Sequence, residues 1–212
     1  MTKARRINTS ILDLRADEIR AIYDRFDFPI ARLDCGKKCA PHNLSGKPFC
    51  CDICHAIPAV YKSEWKYLKQ RTELWHECHG DECGNSSDEE RAYLKADTPK
   101  EMILLACLGP SRYERGFRAL SCRQFPFFPY ITSNYRFIGL AYEWEFESKC
   151  WVISNLSEVT GPYRDEFVRT VPKRVRKLRL SFRETASRIC ASKKTFSIAP
   201  SKWGNILGES SK

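Results

Sequence analysis

Apolar positions along the chain follow three patterns. In the first they recur at helical spacing. Ile19, Ile22, Tyr23 and Phe26 put one face on a short helix over 17–26. Ser63 stands where an N-cap would, ahead of Trp65, Leu68, Thr72 and Trp75, and this predicts a helix to about Glu77. Ser87 and Glu90 form a capping box for a helix through Leu94. Pro162 opens another helical stretch, with Asp165 and Glu166 in its first turn and Val168, Val171, Val175, Leu178, Phe182 and Ile189 near one face. Pro172 is expected to break or kink it, because proline has no N–H to donate and crowds the preceding turn. In the second pattern apolar residues run together or alternate. The stretch 101–108 reads as a buried strand, 126–132 and 135–146 as two more, and 150–154 as a hairpin partner. In the third there is no period. Gly36, Pro41, Gly46 and Pro48 punctuate 33–57, and 78–85 is a turn-rich break.

Composition adds a boundary to this picture. Hydrophobic residues make up 42% and aromatics 12% of the 212 residues, enough for a packed core, so a folded chain is expected. No apolar run approaches the roughly 20 residues that cross a bilayer. The first ten residues are basic and polar, with no apolar stretch behind them that would make a signal peptide. No membrane association and a cytoplasmic location are therefore expected.

The cysteines change the reading most. In a reducing compartment dense cysteine points to metal or redox chemistry rather than disulfides, and the odd count of 11 cannot pair completely. Seven of the 11, and all four histidines, fall between Cys35 and Cys83. Three residues separate Cys35 from Cys39, and after ten more residues come Cys50, Cys51 and Cys54. Short spacings let two sulfurs of one turn face one ion, and a second pair closes a tetrahedral thiolate site. Cys78 and Cys83, beside His76 and His79, form a second-rank ligand group. Thiolates suit zinc, ferrous iron and iron–sulfur clusters. Cys107 and Cys150 are open between core and ligand, and Cys190 reads as a small apolar core residue.

The opening cysteines, followed much later by Ser121-Cys122-Arg123-Gln124-Phe125-Pro126-Phe127, resemble the YkgJ-like cysteine-cluster family, whose members are described as zinc- or iron-chelating proteins. The likeness covers roughly residues 33–153. It implies metal ligation by Cys35, Cys39, Cys50, Cys51 and Cys122, with Cys107 a weaker match. The chain departs from the pattern in its longer gap from Cys39 to Cys50, in the extra Cys54, and in having Arg118-Ala119-Leu120 where the family has Arg-Pro. That family is related to flagellin lysine N-methylases, which offers an enzyme alternative: a metal-dependent protein lysine N-methyltransferase. The chain has no glycine-rich strand-to-helix loop to support it.

The net charge of +10 raises a third class. Arg169, Lys173, Arg174, Arg176, Lys177, Arg179, Arg183 and Arg188 crowd one helical region and could neutralise nucleic-acid phosphates. A solvated face over a valine-leucine seam accounts for the same pattern without a ligand and is preferred. A protein partner or substrate stays unassigned. Arg123, next to Cys122, is read either as tuning the thiolates or as a surface ion pair.

The expected architecture is α+β. An irregular cysteine-rich metal-binding region carries a small antiparallel sheet and is followed by a C-terminal amphipathic helical region. The divisions are a leader and short helix (1–32), a cysteine-cluster domain (33–160), a basic helical region packed on it (161–192) and a flexible tail (193–212). The expected function is binding of zinc or iron, with an iron–sulfur cluster as one form, by Cys35, Cys39, Cys50, Cys51, Cys54 and Cys122.

Overall fold

A computed structural model describes residues 14–80, 82, 87–112, 114–131 and 137–177, without the side chains of 90, 131, 137, 138 and 171–177. The leader, Cys83, Cys190, Arg179, Arg183 and Arg188 of the basic run, and the tail lie outside the described residues. The fold is α+β, with helices around two small antiparallel sheets.

Helix α1 (Ala16–Arg25) begins where Asp17 and Glu18 meet the positive end of the helix, and the Arg15 N–H donates to the Glu18 carboxylate. Its predicted apolar face is the buried one: Ile19, Tyr23 and the following Phe26 all enter the core. The cysteine-rich stretch is more regular than its composition suggests. It forms a one-turn helix α2 (Cys35–Cys39), capped by the Asp34 carboxylate on the Lys37 N–H, and two 3-10 turns, Ala40–His42 and Phe49–Cys51.

A three-stranded sheet follows, of β1 (Ala59–Tyr61), β2 (Trp75–Glu77) and β3 (Met102–Cys107), with β3 central and both pairings antiparallel. The long helix expected over 63–77 is not formed. Helix α3 spans Lys62–Leu68, and Trp75–Glu77 is strand. The Thr72 hydroxyl accepts from the Leu74 N–H and donates to Glu114, which turns the chain, and Trp75 then pairs with Cys107 across the sheet. A helical spacing of apolar residues was present, but cross-strand pairing with β3 satisfied the backbone instead. Helix α4 (Asp88–Asp97) runs slightly longer than its capping box predicted.

The segment from 120 builds the rest. Helix α5 (Leu120–Gln124) leads through a cis Phe125–Pro126 peptide into β4 (Phe127–Ile131), which pairs with β5 (Phe137–Tyr142) as a hairpin. The strand predicted to Phe146 stops at Tyr142, because the Glu143 N–H bonds back to the Pro126 carbonyl and a 3-10 turn at Trp144–Phe146 follows. The stretch 150–154 is not a strand. The Cys150 N–H bonds to the Phe146 carbonyl at 2.7 Å, and a helical turn α6 (Trp151–Ser154) buries Val152 and Ile153 side by side. Helix α7 (Gly161–Lys177) continues past Pro172.

One core joins these pieces. Tyr23, Phe26, Val60, Leu68, Leu105, Val152, Tyr163 and Phe167 are almost wholly buried, and Phe26, Tyr163 and Phe167 pack with ring centroids 5.4–6.0 Å apart. No helix among the described residues is long and apolar enough to cross a membrane.

Candidate metal centre

Two buried polar groups hold the scaffold of the site. Glu64, only 4% exposed, accepts from the Tyr23 hydroxyl and the Leu120 N–H, both at 2.7 Å, and so ties α1 and α5 to α3. Arg123 is 5% exposed. Its guanidinium donates to the carbonyls of Tyr23, Phe26, Arg115, Gly116 and Arg118 and to Asp27, and lies over the Tyr23 ring. Neither sequence reading of Arg123 holds. Its donors are spent on backbone carbonyls and Asp27 rather than on sulfur, and it is not at the surface. A planar fork with five N–H groups suits that task.

On this scaffold the fold brings together cysteines that are far apart in sequence. Cys35 and Cys39 sit at the two ends of α2, which packs on α6 behind Cys150. Cys50 and Cys51 lie on the second 3-10 turn, Cys107 ends β3, and Cys122 is central in α5. The charge of each acts on others of the set: Cys150 and Cys39 on Cys35, Cys51 on Cys39, Cys35 and Cys122 on Cys50, and Cys51 and Cys107 on Cys122. Cys35, Cys107, Cys122 and Cys150 also pack against the apolar core. All seven are free thiols.

Burial governs their acidity. It pushes the Cys35 thiol up to about 11, with Cys150 and Cys39 adding to the rise. It pushes Cys122 up to about 12 against the pull of Arg118. Cys50 is raised, first by its hydrogen bond to Cys51 and then by burial. Cys51 receives that bond and is held down to about 7, burial opposing and Arg118 helping. Cys39, Cys107 and Cys150 are raised by burial, while backbone N–H groups facing their sulfurs favour the anion: Phe49 for Cys39, Gly109 for Cys107, and Ile153 and Val152 for Cys150. Gly109 reaches this position at φ +93°, a conformation glycine adopts freely. Arg118, whose guanidinium donates to the Cys122 carbonyl, acts on Cys35, Cys51 and Cys122, and Lys47 acts on Cys107.

The Cys50 and Cys51 sulfurs are 3.9 Å apart. Two sulfurs on one tetrahedral zinc are about 3.8 Å apart for Zn–S near 2.3 Å. Although adjacent in sequence, these two sulfurs therefore stand at a separation compatible with ligation of one ion. Among the described residues no group of three or more His, Cys, Asp or Glu side chains stands close enough to hold one ion as it is. The donor chemistry fits a thiophilic metal, and the sulfurs would draw together to hold one.

The other sequence candidates are placed elsewhere or lie beyond description. Cys54 is in a disulfide and in that state has no thiolate to offer. Its loop is pinned by Asp52, which accepts from Asn43, Ser45 and the Cys54 N–H; burial would raise this carboxyl, but those bonds hold it below the usual range. Cys78 donates to Glu82, in a turn where Glu82 also accepts from the His79 and Gly80 N–H groups. Cys83 lies outside the described residues. Sequence reasoning left Cys107 and Cys150 undecided and overlooked Arg118 and Lys47. The one signal available was Cys107-Leu108-Gly109, a cysteine followed two residues later by the glycine that can turn its N–H onto the sulfur. No family model, curated protein or solved structure matches the chain.

Proposed function

We propose that this protein binds a thiophilic metal, zinc or iron, through the gathered cysteines, with Cys35, Cys39, Cys50, Cys51 and Cys122 as the principal ligands. The observation that carries this reading is that free thiols from α2, the Phe49–Cys51 turn, β3, α5 and the start of α6 lie near enough for the charge of one to act on others, with the Cys50 and Cys51 sulfurs 3.9 Å apart. Core packing alone gives no reason for so many cysteines to meet, since any small apolar residue would fill the same space. Backbone N–H groups facing three of the sulfurs, and Arg118 and Lys47, offset part of the burial that favours the thiol. The bound metal would supply the positive charge that makes a buried group of thiolates tolerable.

The test is elemental analysis of protein purified without oxygen. Stoichiometric zinc or iron is expected, and Cys50→Ser or Cys51→Ser should lower it. Brown colour with acid-labile sulfide identifies an iron–sulfur cluster, and colourless protein with zinc identifies a thiolate site. Metal-free wild-type protein, or full retention in Cys35→Ser, Cys50→Ser and Cys51→Ser alike, sinks the reading.

A further inference from the structure

The Cys50 and Cys51 sulfurs are in direct contact, 3.9 Å apart, with the S–H of one donating to the other. Both thiols are free and half-buried, so a small reagent can reach them. The turn beneath them is braced. The Cys51 N–H bonds to the Pro48 carbonyl at 2.8 Å and the Asp52 N–H to the Phe49 carbonyl at 3.3 Å. The buried Asp52 carboxylate accepts from Asn43, Ser45 and the Cys54 N–H. Two sulfurs fixed side by side react with each other as an intramolecular pair, at an effective concentration that separate thiols do not reach. In the same loop Cys54 is already in a disulfide, so oxidised sulfur is compatible with this part of the fold. Connectivity decides what kind of disulfide the pair can make. Neighbouring Cα atoms lie about 3.8 Å apart across a trans peptide, short of the roughly 4.4–6.8 Å that a relaxed disulfide spans. A bond between Cys50 and Cys51 is therefore strained, and strained disulfides are the readily reduced ones that serve exchange rather than structure.

We propose that Cys50 and Cys51 form a thiol–disulfide exchange pair, which takes oxidising equivalents from a disulfide substrate and gives them up again to a thiol. The pair uses two sulfurs and no ion, so it stands apart from the metal-binding reading. A bound ion would occupy the same sulfurs, and exchange belongs to the metal-free chain. In the oxidising direction one of the two sulfurs, as thiolate, attacks a sulfur of the substrate disulfide. A bond between protein and substrate sulfur forms, the substrate S–S bond breaks, and the first half leaves as a thiolate that takes up the proton released earlier. The second protein sulfur then loses its proton and attacks the first. The Cys50–Cys51 bond forms, the mixed disulfide breaks, and the second half leaves and takes up that proton. The protein is oxidised by two electrons and the substrate reduced by two.

The experiment treats the full-length chain, stripped of metal with a chelator, with glutathione disulfide as the substrate. Remaining thiols are blocked by alkylation, and mass and linkage are read by peptide mapping. The wild type, which needs no variant to fold, should lose two hydrogen atoms per chain, with the new bond between Cys50 and Cys51. Excess reduced glutathione should restore both thiols. Cys50→Ser and Cys51→Ser should each stop at the first step and keep one glutathione on the remaining sulfur. A wild-type chain in which the two stay reduced, stay as a mixed disulfide or link to other cysteines overturns the pair. A Cys50–Cys51 bond that resists excess reduced glutathione overturns the exchange role. Loss of two hydrogen atoms in both variants, as in the wild type, would place the chemistry on other thiols and overturn it as well. None of these outcomes depends on metal content, so the pair and the metal-binding reading fail separately.

Discussion

Arg123→Met should destabilise the protein by about 2–4 kcal/mol, chiefly through a buried carbonyl left without a donor and a lost cation–π contact. The figure can be built from the contacts. The carbonyls of Tyr23 and Phe26 accept from Nη1 at 3.2 and 2.6 Å in buried surroundings, and methionine leaves both without that donor. The Tyr23 carbonyl keeps its bond from the Phe26 N–H, so the Phe26 carbonyl is the one left unsatisfied, and a buried unsatisfied acceptor costs about 1–3 kcal/mol. The carbonyls of Arg115, Gly116 and Arg118 are only partly buried, and water can replace the lost donor there at lower cost. Losing the guanidinium from the Tyr23 face, 4.4 Å from its centroid, adds about 0.5–2 kcal/mol. Against this, methionine has no charge to desolvate, which pulls the total back to the middle of the range. Urea unfolding of the metal-free chain, followed by tryptophan fluorescence, should show the midpoint falling by about 1–2 M with the slope unchanged, taking a slope near 2 kcal/mol/M. Arg123→Lys should recover less than half of the loss, since an ammonium cannot span carbonyls on both sides of a planar fork. A midpoint for Arg123→Met within about 1 kcal/mol of wild type would refute the staple role. Normal stability with reduced metal content would restore the reading of Arg123 as a neighbour that tunes sulfur.

Three further outcomes follow from the same contacts. Tyr23→Phe removes a buried donor to Glu64 and should cost about 1–3 kcal/mol by urea unfolding, because a buried acceptor loses a partner; a neutral result would mean that water or another group replaces the hydroxyl. Leu105→Ala, at a fully buried position in the central strand β3, should cost about 2–5 kcal/mol through lost burial and the cavity left behind, and a loss under 1 kcal/mol would mean the sheet is loosely packed there. Metal uptake should release protons at pH 7.5, because burial holds Cys35 and Cys122 protonated with values near 11 and 12, whereas Cys51 at about 7 has largely lost its proton. Affinity should accordingly rise with pH from 6.5 to 8.5, and calorimetric titrations in buffers of different ionisation enthalpy should count more than one proton per ion. No buffer dependence would contradict buried neutral thiols.

The sequence was legible where one local pattern decided the outcome. Ile19, Tyr23 and Phe26 lie on a helical face whatever surrounds them, and β3 is apolar throughout, so both appear close to where they were expected. It misled where two patterns competed. Trp65, Leu68, Thr72 and Trp75 keep helical spacing, but Trp75 is drawn into pairing with Cys107, thirty-two residues further along the chain, which no local window contains. Val152 and Ile153 are β-branched neighbours, and a 3-10 turn at Trp144–Phe146 sends them into a helical turn instead. The site divides the same way. Cys35, Cys39, Cys50 and Cys51 stand out as a cluster in sequence. Cys150 joins only because α6 packs on α2, and Arg118 only because α5 is held in place by Glu64 at the Leu120 N–H.

The relation between core and cysteines bears on what a metal would do here. In a small zinc-dependent domain the ligands replace a core that is too small to form alone. In this chain the core is complete without them: Tyr23, Phe26, Leu68, Leu105, Tyr163 and Phe167 pack together, and Glu64 and Arg123 satisfy the backbone where α1, α3 and α5 meet. The thiols sit against this assembly rather than inside it. The elements that carry Cys107 and Cys122 are therefore positioned before any ion arrives, β3 by its two partner strands and α5 by Glu64. The short segments that carry Cys35, Cys39, Cys50 and Cys51 have fewer such ties, chiefly Asp34 at the Lys37 N–H and Asp52 across the 43–54 loop. Among the described residues no three candidate side chains are close enough to hold an ion as they stand, so binding of a metal would require these lighter segments to close, and its affinity would be reduced by the free energy of that closure. On the proposed reading, folding would not depend on the metal: a bound ion would add RT ln(1 + [metal]/Kd) to stability, and the scaffold that positions Cys107 and Cys122 would persist without it.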